Sequence, residues 1–69
     1  MKTAVIEKTD KQLYVTLHST PEKAVNHAVN LAMENTSCSE HEIRDNIERT
    51  DGHEEGDYGV YVCDAKEAD

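Results

Sequence analysis

The chain reads as an α+β domain with elements in the order β-β-α-α-β: a three-stranded, mainly antiparallel sheet with helices packed on one face. Three observations predict it. Two runs near the start and one near the end are rich in β-branched and aromatic residues. Between them lies a stripe of small apolar residues at helical spacing. The chain is 69 residues long and has no Trp or Phe, which allows one domain with a thin core of Val, Ile, Leu and Ala. A domain this small buries only about 60% of its unfolded surface, so forming a homodimer would be an ordinary way to add to it.

The opening Thr3 to Lys8 and the run Gln12 to His18 predict a hairpin, with the polar Thr9, Asp10 and Lys11 between them. In the second run Leu13, Val15 and Leu17 alternate with Tyr14, Thr16 and His18, the pattern of a half-buried strand. Thr20 followed by Pro21 starts the first helix, although Ser19 and Glu22 also have capping spacing. Its apolar stripe is Ala24, Val25, Ala28, Val29, Leu31 and Ala32, opposite Lys23, Asn26, Asn30 and Glu34. Ser39 and Glu42 form a capping box for a shorter helix, in which Ile43 and Ile47 share one face. Gly52 is expected to end that helix in the left-handed conformation. "DGHEEGD" then reads as a loop, and Tyr58 to Cys63 as the last strand. The domain is thus expected over 1–63, with 64–69 a polar tail. Leu13, Val15, Leu17, Val60 and Val62 are expected to face the helices. Tyr14, Thr16, Tyr61 and Val5 are left for the uncovered face.

No apolar run approaches the ~18 residues that a transmembrane helix needs, and no signal-peptide pattern opens the chain, so the expected compartment is the cytoplasm. In that reducing environment Cys38 and Cys63 are expected as free thiols. Together with His41 and His53 they supply four zinc-type donors, and a small metal-binding or redox protein using Cys38, His41, His53 and Cys63 is the alternative reading. The spacing fits it poorly. Structural zinc sites pair two ligands closely at each end, and here only Cys38 and His41 are close. The favoured expectation is no metal and no cofactor. The sequence also has no phosphate loop, nucleophile elbow or His-Glu-x-x-His motif, and a cysteine nucleophile would need a base that His41 does not reliably supply, so an enzyme is not expected. His18 and His27 read as boundary residues.

Charge is the most informative feature. Residues 1–36 hold four Lys and four Asp or Glu, whereas residues 37–69 hold eleven acids against Arg44, Arg49 and Lys66, so the whole net charge of −8 falls in the second half. Its densest part comprises Glu40, Glu42, Asp45, Glu48, Asp51, Glu54, Glu55 and Asp57. On the second helix His41, Asp45 and Glu48 share one side, opposite the isoleucines. Such a surface repels nucleic-acid phosphates and attracts a basic protein surface; its plainest role is solubility.

The small size, the "MKTAVIEK" hairpin-first opening, the single α/β layer and the lopsided acidity resemble small phage-encoded inhibitors of the anti-CRISPR type. The resemblance covers the style of the whole chain, matches no motif and transfers no functional residue. It implies a phage protein that inhibits a nucleic-acid-binding complex by occupying its basic surface. The expected function is therefore acidic protein binding. Glu40, Glu42, Asp45, Glu48, Glu54, Glu55 and Asp57 would supply long-range attraction, and Tyr14 and Tyr61 would anchor the contact or a homodimer. The partner is a basic-surfaced protein, with neither nucleic acid nor membrane bound directly.

Overall fold

In the computed structural model, which describes residues 2–65, the chain forms β1 (Lys2–Lys8), β2 (Leu13–His18), α1 (Pro21–Asn35), α2 (Glu40–Thr50), β3 (Gly52–Glu55) and β4 (Tyr58–Ala65). The α+β class and the two helices are as expected. The sheet has four strands and not three, in the order β2-β1-β4-β3, with every neighbouring pair antiparallel.

The additional strand is β3, built from residues expected to form a loop. Gly56, at φ 60°, and Asp57 make a two-residue turn between β3 and β4, and Gly is the residue such a turn favours at its first position. β4 also continues to Ala65 and pairs with Lys2, so 64 and 65 belong to the sheet; 66–69, the rest of the expected tail, lie outside the described residues. The β1–β2 turn is held by Thr9, whose backbone N–H donates to the Gln12 carbonyl at 2.9 Å and whose hydroxyl accepts from the Gln12 N–H at 2.9 Å.

Both helix starts are side-chain caps. Thr20 Oγ1 accepts from the Lys23 N–H at 3.2 Å, which resolves the cap in favour of Thr20 over Ser19, and Ser39 Oγ accepts from the Glu42 N–H at 3.3 Å. α2 does not end on a left-handed Gly52. Asp51 takes that conformation, at φ 63°, and Gly52 opens β3. The reason for glycine lies in the sheet: a Cβ at Gly52 would come 2.7 Å from Cδ1 of Tyr61.

The core lies between one sheet face and the two helices. It gathers Val5, Tyr58 and Val60 from the strands with Ala24, Ala28, Val29 and Ala32 of α1 and Ile43 and Ile47 of α2. Alanines bring α1 close to the sheet, which is how a chain without Phe or Trp fills its interior.

Register corrects the expected facing of β2. Val5 pairs with Thr16 and Val62, and Glu7 with Tyr14 and Val60, so Tyr14, Thr16 and His18 share the helix side. Leu13, Val15 and Leu17 instead lie with Ala4, Ile6 and Tyr61 on the open face, where the three β2 residues are 63%, 61% and 54% exposed. Val5, expected on the open face, is buried in the core. The cause is position: β2 is an edge strand, and the helices cover the strands inboard of it. Alternation identifies two faces, but only the neighbours decide which one is covered.

Candidate functional site

Seven acids were singled out by sequence, and all seven are exposed: Glu40, Glu42, Asp45, Glu48, Glu54, Glu55 and Asp57. They do not make one straight ridge. On α2, burial of Ile43 and Ile47 turns the opposite side outward, and His41, Arg44, Asp45 and Glu48 line one shallow depression there. Both α2 cations are engaged. Arg49 Nε lies 3.6 Å from Asp45 Oδ2, and Arg44 Nη1 donates to Asn26 Oδ1 of α1 at 3.2 Å.

A second group sits at one end of the sheet. β1 runs antiparallel to both β2 and β4, so the β1–β2 and β3–β4 turns project from the same end. This places Asp10 with Glu55 and Asp57 around one depression beside Tyr58. Asp10 comes from the charge-balanced half and was not among the expected site residues. The antiparallel hairpin order was the signal that could have located it.

Glu54 and Glu55 point to opposite sides of β3. Glu54 accepts a hydrogen bond from the Tyr61 hydroxyl across the open face. Glu55 accepts from the Ser37 N–H and the Ser37 hydroxyl, each at 3.0 Å, which ties β3 to the α1–α2 connection. Ser37 links the two groups, because it binds Glu55 and lies just ahead of the first turn of α2, which carries Glu40 and Glu42. Six of the acids therefore form an arc from α2, past the helix connection, to the β3–β4 turn, while Glu54 stands apart on the open face.

The two tyrosines expected to share a face do not. Tyr14 lies on the helix side and Tyr61 on the open side. Tyr61 also has a structural task. Its side chain lies against Gly52 and Gly59, where a Cβ would meet ring Cδ1 and the hydroxyl oxygen respectively, each at 2.7 Å, so it covers two glycines that lack side chains of their own. The hydrogen bond to Glu54, then partial desolvation, raise the Tyr61 pKa.

The zinc-type donors are dispersed. Cys38 is half-buried against the core, while Cys63 is exposed on the open face beside Ala4. The two thiols thus sit on opposite sides of the sheet, and both are free. His41 is exposed on α2, whereas His53 is buried between β3 and α2, with Nδ1 3.0 Å from Asn46 Nδ2. Among the described residues no three His, Cys, Asp or Glu side chains are grouped to hold a metal ion. Desolvation, followed by the carboxylates of Glu42 and Glu55, pushes the Cys38 pKa up; this keeps the thiol protonated, the opposite of what a nucleophile or thiolate ligand needs.

His18 Nε2 lies 2.9 Å from His27 Nδ1, with the rings edge to face, so the pair read as boundary residues clips the end of β2 to α1. No described helix is long and apolar enough to cross a membrane. No protein-family model, curated protein or solved structure matches the chain.

Proposed function

We propose that this protein is a non-enzymatic binding module of the cytoplasm that engages the basic surface of another protein through the acidic arc on its second half. The observation that carries the reading is the exposure of all seven acids, of which only Asp45 is ion-paired among the described residues, with Arg49. Negative potential is left facing solvent, where it raises the encounter rate with Lys- and Arg-rich surfaces and disfavours phosphates. A nucleic-acid-binding protein is the natural target, because its own ligand has selected such a surface. By occupying it, this chain would act as an inhibitor, in line with its resemblance to the anti-CRISPR type.

The test spares the acids that hold other side chains. Glu54 and Glu55 hold Tyr61 and Ser37, so they are spared. Glu40→Gln, Glu48→Gln and Asp57→Asn remove three exposed charges that make no hydrogen bond or ion pair among the described residues. The wild-type chain captures its partner from extract of its native cell at low salt and loses it at high salt, since exposed charges are screened over ~8–10 Å. The triple variant keeps its melting temperature to within the small change expected of surface sites. Its association with the purified partner slows, while dissociation changes little. Association at the wild-type rate by the triple variant at low salt would reduce the acidic arc to a solubility device.

A further inference from the structure

At the edge of the sheet farthest from β3, strand β2 is uncovered, and we propose that it pairs antiparallel with β2 of a second copy of this chain, about a two-fold axis through Val15. The two edges would close into one eight-stranded sheet, since each copy contributes four strands.

Three observations carry this. The first is the state of the edge. Protein edge strands are usually blunted by charge, proline, a bulge or a cover, because their unpaired N–H and C=O groups are templates for pairing. From Leu13 to Leu17 the chain has no charged residue and no proline, and all five residues are exposed.

The second is self-complementarity. Leu-Tyr-Val-Thr-Leu is close to a palindrome. With Val15 on the axis, Leu13 opposes Leu17 of the other copy, Tyr14 opposes Thr16, and Val15 meets Val15. Every pair is then aliphatic with aliphatic or aromatic with β-branched, the combinations that stabilise antiparallel ladders. The leucines and valines all fall on the open face, so the apolar strip of one copy continues into that of the other.

The third is charge. The hairpin from Lys2 to His18 holds three Lys against Glu7 and Asp10, a net +1. The remaining residues hold four Lys or Arg against thirteen acids, a net −9, which together give the chain's −8. Contact through α2 or β3 would press acid against acid. Contact through β2 apposes the near-neutral parts and leaves the acidic arcs at the outer ends. A hairpin docked on the acidic half of another copy would attract as well, but its net charge is only +1, and the strand edge on that half, β3, is short and charged.

A five-residue ladder, Leu13 to Leu17, is smaller than the ~800 Å² per partner of a standard interface, so this dimer dissociates on dilution. Its salt dependence is opposite to that of partner capture. Screening relieves the repulsion between two chains of −8, so dimerisation strengthens with salt, and failure of one reading leaves the other standing.

Sedimentation of the wild type over a concentration series, at low and high salt, should show a monomer–dimer equilibrium that shifts toward dimer with both. At concentrations where dimer dominates, hydrogen exchange by NMR should show protection of those β2 amides that point away from β1. Val15→Lys places two ammonium groups together at the axis and should raise the dissociation constant by roughly tenfold or more, with an unchanged circular dichroism spectrum. Val15→Thr keeps strand propensity and shape while adding a hydroxyl; it should weaken the dimer less, and it serves as the readout if the lysine variant does not fold. A wild type monomeric up to NMR concentrations overturns the proposal. So does a dimer indifferent to both Val15 variants, or one whose outward β2 amides exchange freely.

Discussion

The two edges of this sheet solve the same problem differently. β3 is four residues long, carries Glu54 and Glu55, and lies under α2, to which His53 connects through Asn46. β2 is six residues long, uncharged from Leu13 to Leu17, and reached by α1 only at its end, through His18 and His27. Short length, charge and cover are the ordinary protections of an edge, and β3 has all of them. The contrast teaches that negative charge is unevenly divided between the two edges. It is concentrated on the edge that also has a cover, and withheld from the edge that has none. Under the proposed function the first edge would attract basic proteins, and under the further inference the second would add a strand.

The largest expected effect comes from breaking the protected edge. Gly52→Ala places a methyl group 2.7 Å from Tyr61 Cδ1 and 3.0 Å from the Val60 carbonyl oxygen. The first contact is with the near part of the ring and the second with backbone, so neither yields cheaply. Overpacking of this kind costs about 1–3 kcal/mol, of which less entropy in the unfolded chain returns at most ~1. The melting temperature should fall by several degrees, and β3 should lose hydrogen-exchange protection. Thr16→Ala, on the exposed β2 edge, should change stability by no more than about 0.5 kcal/mol. Equal losses from the two substitutions would mean that the edges do not differ in packing as described.

These two edges also mark where the sequence is legible. α1 follows from Thr20, Pro21 and a stripe of alanines and valines, all local signals that tertiary contacts reinforce. α2 follows from Ser39, Glu42 and the isoleucine spacing in the same way. β3 is obscured because Gly-His-Glu-Glu has little strand propensity; it pairs because β4 is beside it and Gly56-Asp57 makes the turn. The facing of β2 could not be read locally, because an apolar strand face normally signals the core. Here the rule fails at an edge beyond the reach of the helices, so Leu13, Val15 and Leu17 are exposed while Tyr14 turns to the helix side. For the site, the exposure of the acids was legible from charge, but their division into an α2 group and a turn group was not. Nor was the arrival of Asp10, which depends on which turns share an end of the sheet.

A smaller effect tests the strands between the edges. Tyr58 donates its hydroxyl hydrogen bond to Glu7 Oε2 at 2.7 Å, joining β4 to β1 on the core side. Tyr58→Phe should cost about 1–2 kcal/mol, as expected for a bond to a charged acceptor that is partly buried. Burial, then the Glu7 hydrogen bond and charge, push the Tyr58 pKa well above the usual tyrosine value. The folded state therefore holds this proton more tightly than the unfolded chain does. The associated stability is fully present below the ordinary tyrosine pKa of about 10 and is lost as pH rises past it. Denaturant unfolding across that alkaline range should show stability falling with pH in the wild type and a shallower fall in Tyr58→Phe. The remaining slope would come from Tyr61 and Cys38, whose pKa values are also raised. An unchanged slope in the variant would remove Tyr58 as its source.

A gain and a loss that nearly cancel are expected at the histidine under the protected edge. His53 is 5% exposed, and its Nε2 has no hydrogen-bond partner among the described residues, while Nδ1 meets Asn46. A buried polar atom left unpaired usually costs about 1–3 kcal/mol, which His53 would repay only in part through its bond to Asn46. His53→Leu removes the orphaned nitrogen and keeps an apolar side chain of similar bulk between β3 and α2. Asn46 is half-buried, so its amide can turn to water. The substitution should leave stability within about 1 kcal/mol of wild type, with the gain slightly outweighing the loss. Chemical denaturation of the two proteins measures it. The same variant also bears on the metal reading, which counts His53 among its four donors. If His53→Leu instead lost several kcal/mol, and zinc raised the melting temperature of the wild type but not of the variant, the buried nitrogen would be a ligand. The cover of the β3 edge would then be a metal centre and not simple packing.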